Sequence, residues 1–204
     1  MSEPSEDARP QALRSSRYEL ARLRKLAQLA RGRTVLDLGH AQIPNPFLEG
    51  RHRVGFDLEK SAPGGVRYEE EFQGDVRDIA TALHGRTFDT VICGELIEHL
   101  ENPYEFLRNL APLIAPGGRL LLSTPNPLSF PVLFIELARS HRYFYTSDHR
   151  YYFTPRWVER LLSVTGYELQ AAKAIGLWLP FGVLKPCPVA LSYQVAYVAV
   201  ARGS

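Results

Sequence analysis

Cysteine is nearly absent from this chain: Cys93 and Cys187 are the only two among 204 residues. One lies inside an apolar β-branched run and the other beside prolines, so there is no disulfide framework and a reducing, cytoplasmic setting is expected. Long apolar runs are missing too. The run Pro131–Ala138, interrupted by Glu136, falls far short of the roughly 20 residues that a membrane-spanning helix needs. The first ten residues, MSEPSEDARP, carry no apolar stretch of the kind a secretory leader uses. Neither sign of charge dominates: 24 Lys and Arg stand against 22 Asp and Glu, and the arginines are dispersed. Binding of a polyanion is neither demanded nor excluded by that balance. A hydrophobic fraction of 45% supports one full core, hence a single domain over residues 1–204 with a frayed polar segment over residues 1–14.

What is present is an alternation of buried strands and amphipathic segments. Ser16–Arg31 reads as a helix covering the sheet, its arginines forming a solvated face. Thr34–Gly39 (TVLDLG), Arg53–Lys60 (RVGFDLEK), Tyr68–Gln73 and the run from Phe88 read as four strands. Tyr104–Leu113 has helical periodicity, Pro116-Gly117-Gly118 is a turn, and Arg119–Ser123 is a fifth strand. Phe130–Arg139 reads as an apolar helix, either a cover over the pocket or ordinary core. Thr154 caps a helix with Pro155 at its first position, running to Val164. Tyr167–Ile175 and Gln194–Ala201 read as an antiparallel hairpin at the sheet edge. The whole is an α/β, Rossmann-like doubly wound sheet.

The stretch Phe88–Asn102, FDTVICGELIEHLEN, organises the rest. A strand delivers Glu95, Glu98 and His99 to its carboxyl end, where open α/β sheets bind ligands. On a helix starting there, Glu95 and Glu98, and Glu95 and His99, would share a face. Three other strand ends carry an acid: Asp37 before Gly39, Asp57 about twenty residues later, and Asp75. An acid at the end of the second strand suits ribose hydroxyls, because one carboxylate can accept from both.

The segments VLDLG, GFDLE, GDV, FDTVICGELIEHLENP, LAPLIAPGGRLLLSTPNP and DHRYYFTPRWVERLLSVTGYEL together resemble the class I S-adenosylmethionine-dependent methyltransferases, from about Thr34 to Leu169. That resemblance implies a seven-stranded sheet with the last strand inserted antiparallel. It implies that Asp37, Gly39 and His40 approach the methionine part of the cofactor, Asp57 and Leu58 the ribose, and Asp75 and Val76 the adenine. Cys93, Gly94 and Glu95 would face the methyl acceptor. The chain departs from the family in its first loop, commonly D-x-G-x-G-x-G, where Asp37 and Gly39 are followed by HAQIPNPF. Pro44 and Pro46 leave too little chain for a full first helix. Such a loop is either mobile until cofactor binds or built on the side chains of His40, Gln42 and Asn45.

The pattern E-x-x-E-H followed by D-H also resembles the small-RNA 3′-end 2′-O-methyltransferases, and E-x-x-E-H occurs in ubiquinone-biosynthesis O-methyltransferases. Carried over, it nominates Glu95, Glu98, His99 and His149 as ligands of magnesium, manganese or zinc. The alternative is metal-free chemistry in which His99 or His149 acts as general base beside Glu95. Three functions follow as expectations. The first is O-methylation of a sugar-containing or polyhydroxylated small metabolite, favoured by the lack of a basic stripe. The second is RNA 3′-terminal 2′-O-methylation, and the third a non-catalytic cofactor-binding subunit. Neither nucleic acid nor membrane is the favoured partner, and the oligomeric state is open.

Overall fold

A computed structural model describes residues 17–61, 65–138, 149–179 and 182–203. Its elements are helix α1 (Arg17–Leu29), strands β1 (Thr34–Leu38), β2 (His52–Asp57) and β3 (Glu70–Gln73), a short helix α2 (Ile79–Ala82), β4 (Phe88–Gly94), α3 (Pro103–Leu110) and β5 (Ile114–Pro125). Then come α4 (Phe130–Ala138), α5 (Pro155–Val164), β6 (Tyr167–Leu179), β7 (Gly182–Leu184) and β8 (Gln194–Ala201). The strands lie in the order β3-β2-β1-β4-β5-β8-β6-β7. Strands β1 to β5 run parallel, and β8 runs antiparallel to both of its neighbours.

The doubly wound class forms as expected, with eight strands rather than seven. The extra strand is short: Gly182–Leu184 pair with Leu177–Leu179 at the outer edge. The expected antiparallel pair of β6 and β8 forms at the sheet edge, and β8 inserts between β5 and β6 as the resemblance implies. Its run Val195–Ala199 is buried residue after residue, and a strand with no wet face belongs inside a sheet.

Period-two alternation sends β1 side chains to two cores. Val35 joins Ile92, Leu121, Ala196 and Val198 beneath Leu26 and Ala27 of α1 and Ala30 just past its end. Leu36 and Leu38 join Val91, Leu120 and Leu122 on the other face, under Phe106 and Leu110 of α3 and Val158 and Leu161 of α5. Burying each leucine stabilises the fold by roughly 1.5–3 kcal/mol. The start of α3 is fixed by Asn102, whose side-chain oxygen accepts from the Glu105 N–H at 3.1 Å and whose amide donates to the Glu105 carboxylate at 3.0 Å. That cap closes the connection carrying the acid-histidine segment. On α4, Phe130, Phe134 and Leu137 are exposed, so these residues are not core.

Candidate functional site

A cleft of about 1000 Å³ opens at the carboxyl ends of β1, β2 and β4. Gly39, Asp57, Leu58, Asp75 and Val76 line one side, and Leu96, His99, Glu101 and Arg150 the other.

The first loop is built on side chains, in place of the missing glycines. Gly39 adopts φ 72°, a left-handed turn that glycine takes without strain, and its N–H donates to the Phe56 carbonyl at 3.0 Å. The His40 ring then fills the space above Gly55, where a Cβ would lie 2.3 Å from its Nε2. Tyr68 packs on that ring, with centroids 4.5 Å apart. The Tyr68 hydroxyl donates to Asp37 Oδ2 at 2.5 Å and accepts from the Asn45 N–H at 3.1 Å. Asn45, fully buried, donates from its side chain to the Leu23 carbonyl of α1. Asp57 also serves the loop, because its Oδ2 accepts from the Ala41 N–H at 2.8 Å. Of the loop side chains considered, His40 and Asn45 are buried within it. Burial pushes the Asp37 carboxyl up, against the Tyr68 hydrogen bond and the charge of Arg22.

Asp75 caps the turn after β3 and is wrapped by Arg77, which donates to it from its backbone N–H and its guanidinium, at 2.6 Å from Nη2. That contact holds the Asp75 carboxyl below the usual range. Val76 beside it is buried.

Beyond β4 the chain does not enter a helix at once. Glu95 has φ 53°, a left-handed conformation uncommon for a residue with a Cβ, and only then does a single 3-10 turn form over Ile97–His99. Glu95 and Glu98 therefore do not share a helical face as expected. The Glu95 N–H donates to the Ser123 carbonyl at 2.9 Å, and its Oε2 accepts from Gln194 Nε2 of β8 at 2.8 Å. Burial pushes this carboxyl up, while the charge of Arg22 and the Gln194 amide pull against it. Cys93 is fully buried, and burial pushes its thiol far up, so it is a packing residue of the strand.

Glu98, His99 and His149 do come together. The Glu98 carbonyl accepts the N–H groups of Arg150 (2.8 Å) and Tyr151 (3.2 Å), tying the second segment to the 3-10 turn. Arg150 pairs with Glu101 at 3.1 Å, and the Tyr151 hydroxyl donates to the Glu101 carbonyl. The His99 and His149 rings meet edge to face at 4.5 Å. One donor atom from each of Glu98, His99 and His149 lies within 4.8 Å of the others, a set of one carboxylate and two imidazoles that fits a borderline divalent cation. Asp148, His141 and the aromatics Tyr143, Phe144 and Tyr145 lie outside the described residues.

Two functional candidates escape a reading of the sequence alone. Arg22, expected on a solvated face, is 5% exposed. It lies four residues before Leu26 on the buried stripe of α1, and its Nη1 would be 2.5 Å from a Cβ at Gly94. That helical spacing is a signal available in the sequence. Gln194 stands at the first position of β8, where nothing local marks it.

The model of the family described as "Methyltransferase domain" matches residues 11–172. A "Ubiquinone biosynthesis O-methyltransferase" from Aeromonas salmonicida (strain A449) is 28% identical over 149 residues, covering 66% of this chain and 63% of that protein. A protein of the same name from Xanthomonas euvesicatoria pv. vesicatoria (strain 85-10) is 36% identical over 93 residues, covering 45% and 38%. The chain thus spans less than two thirds of the length of these curated relatives. Among solved structures, a "SAM dependent methyltransferase" from Archaeoglobus fulgidus superposes with a TM-score of 0.67 at 20% identity, covering 91% of this chain and 95% of that one. At that identity the likeness establishes the fold.

Proposed function

The chain belongs to the methyltransferase-domain family, and from that premise we propose that it transfers the methyl group of S-adenosylmethionine to a hydroxyl, with a divalent cation assisting. One observation carries this reading: the cleft is lined by the strand-end acids Asp57 and Asp75 and by His99, which groups with Glu98 and His149. The names of the curated relatives support oxygen as the acceptor atom.

In this reading Asp57 and Leu58 take the ribose, and Asp75 and Val76 the adenine. Asp57 holds the Ala41 N–H on Oδ2 and the Glu59 N–H on Oδ1 and offers its remaining lone pairs to the sugar. Arg22, a buried guanidinium between Asp37 and Glu95, takes the methionyl carboxylate. Methyl transfer is an in-line displacement, so the protein's first task is to align the acceptor oxygen with the sulfonium methyl. Its second is to remove the hydroxyl proton. A cation held by Glu98, His99 and His149 would lower the hydroxyl pKa as a Lewis acid. Without it, an imidazole of the same pair accepts the proton, with Glu98 beside it.

The acceptor class that fits is a small polyhydroxylated or sugar-containing molecule. Tyr151 and Phe153 stack at 5.4 Å beside the second segment and offer a ring surface to a sugar face. Arg77 and Arg150 at the cleft are matched by Asp75 and Glu101, so neither is held for a phosphate backbone, which disfavours RNA.

The test is transfer of labelled methyl from S-adenosylmethionine to a panel of catechols, sugars and short RNAs, with and without chelator. Transfer to a small hydroxyl compound, lost on chelation and reduced at least tenfold by Glu98→Gln, is expected. Transfer indifferent to chelator and to Glu98→Gln would remove the cation from the reading. Failure to bind S-adenosylhomocysteine would overturn the reading entirely.

A further inference from the structure

The E-x-x-E-H segment offers two glutamates to a cation, yet the structure gathers only the second of them with the histidines. Glu95 is turned away by its left-handed backbone and by Gln194, whose Nε2 donates to its Oε2 at 2.8 Å. Building on the function proposed above, we propose that Gln194 is a positioning residue that assigns Glu95 to Arg22, leaving the cation with Glu98, His99 and His149 as its protein ligands.

Two further observations support this assignment. Glu95 Oε1 and Gln194 Oε1 are buried acceptors with no hydrogen-bond partner among the described residues. Glu95 lies near Arg22, whose Nε is buried and likewise without one. Two open acceptors, one of them near a buried guanidinium, match an α-amino-acid headgroup, with the ammonium on the acceptors and the carboxylate on the arginine. The methionyl end of the cofactor carries that headgroup, and the glycine-poor loop provides few backbone groups of its own for it. Strand β8 reaches this position only because it inserts antiparallel beside β5, where Gln194 pairs with Pro125 just past Ser123. A residue from the far end of the chain thereby decides the role of one in the central motif.

Removing the Gln194 donor leaves a buried carboxylate without its amide partner, and a nearby divalent cation becomes the strongest available replacement. The expected result is a gain. Manganese titrated into the purified protein binds with an affinity that Glu95→Gln leaves unchanged and Glu98→Gln abolishes. In Gln194→Ala and in the bulkier Gln194→Leu, manganese binds about tenfold tighter, the scale typical of changes around metal ligands. The gain disappears in Gln194→Ala combined with Glu95→Gln. In the same proteins S-adenosylhomocysteine binds more weakly after either single change.

A tenfold loss of manganese affinity in Glu95→Gln alone, or no gain in either Gln194 variant, would overturn the assignment. Failure of the cation reading looks different: no manganese binds any variant. The assignment of Glu95 then stands or falls on S-adenosylhomocysteine, and an unchanged affinity in Gln194→Ala refutes it.

Discussion

Tyr68→Phe tests whether side chains have replaced glycines in the first loop. The change removes one oxygen that serves two buried groups, the carboxyl of Asp37 and the N–H of Asn45. Losing a hydrogen bond to a charged group costs about 1.5–3 kcal/mol, and stranding a buried backbone N–H about 1–3 kcal/mol. The two losses share one site and do not simply add, so a total of about 2–4 kcal/mol is expected at neutral pH. For a chain of this size that is a fall in Tm of about 5–15 °C.

The pH dependence sharpens the test. Burial already raises Asp37 above its ordinary 3.8 in the folded protein. A group raised in this way stabilises the fold fully below its unfolded value, and that contribution is lost as pH rises through the folded value. Without the Tyr68 donor the folded value rises further, so the variant's deficit grows as pH rises through the folded values. Urea unfolding of both proteins at pH 4.5 and 7.5 measures this directly. A deficit below about 0.5 kcal/mol at pH 7.5 is the size of an ordinary surface change and would refute the argument. So would a deficit equal at the two pH values.

Two other outcomes follow from the same geometry. Gly55→Ala drives a Cβ against the His40 ring, which is backed by Tyr68, and costs about 1–3 kcal/mol; the double variant with His40→Ala recovers part of that loss in thermal melts, and strict additivity would show that the ring is not the obstacle. At the sheet edge, Arg86 and His52 hold the Glu70 carboxyl down at about 2, so its contribution is present above its ordinary 4.5 and lost as pH falls toward 2. Because that pair is one-third exposed, Glu70→Gln costs only about 0.2–1 kcal/mol at pH 7, and melts of the two proteins should converge as pH falls below 4.5.

Much of this fold is legible locally. Strands β1, β2 and β4 each carry a short apolar run with an acid or a glycine at or just past its end, and α5 begins at the expected cap, with Thr154 accepting from the Trp157 N–H and Pro155 at the first position. Such signals need only neighbours in the chain, because strand periodicity and helix caps are short-range physics. The grouping of Glu98 and His99 with His149 is legible as a motif, whereas its closure depends on backbone bonds from the Glu98 carbonyl to residues fifty positions on.

The sequence by itself determined the parallel, doubly wound class, the strand-end acids and the acid-histidine segment, since each is written within a few residues. Tertiary structure alone decided that the buried Arg22 would meet Gly94 and that Glu95 would turn toward Gln194. The physical reason is that a buried charge settles wherever distant strands supply its hydrogen bonds, and residues 95 and 194 become neighbours only when the sheet closes.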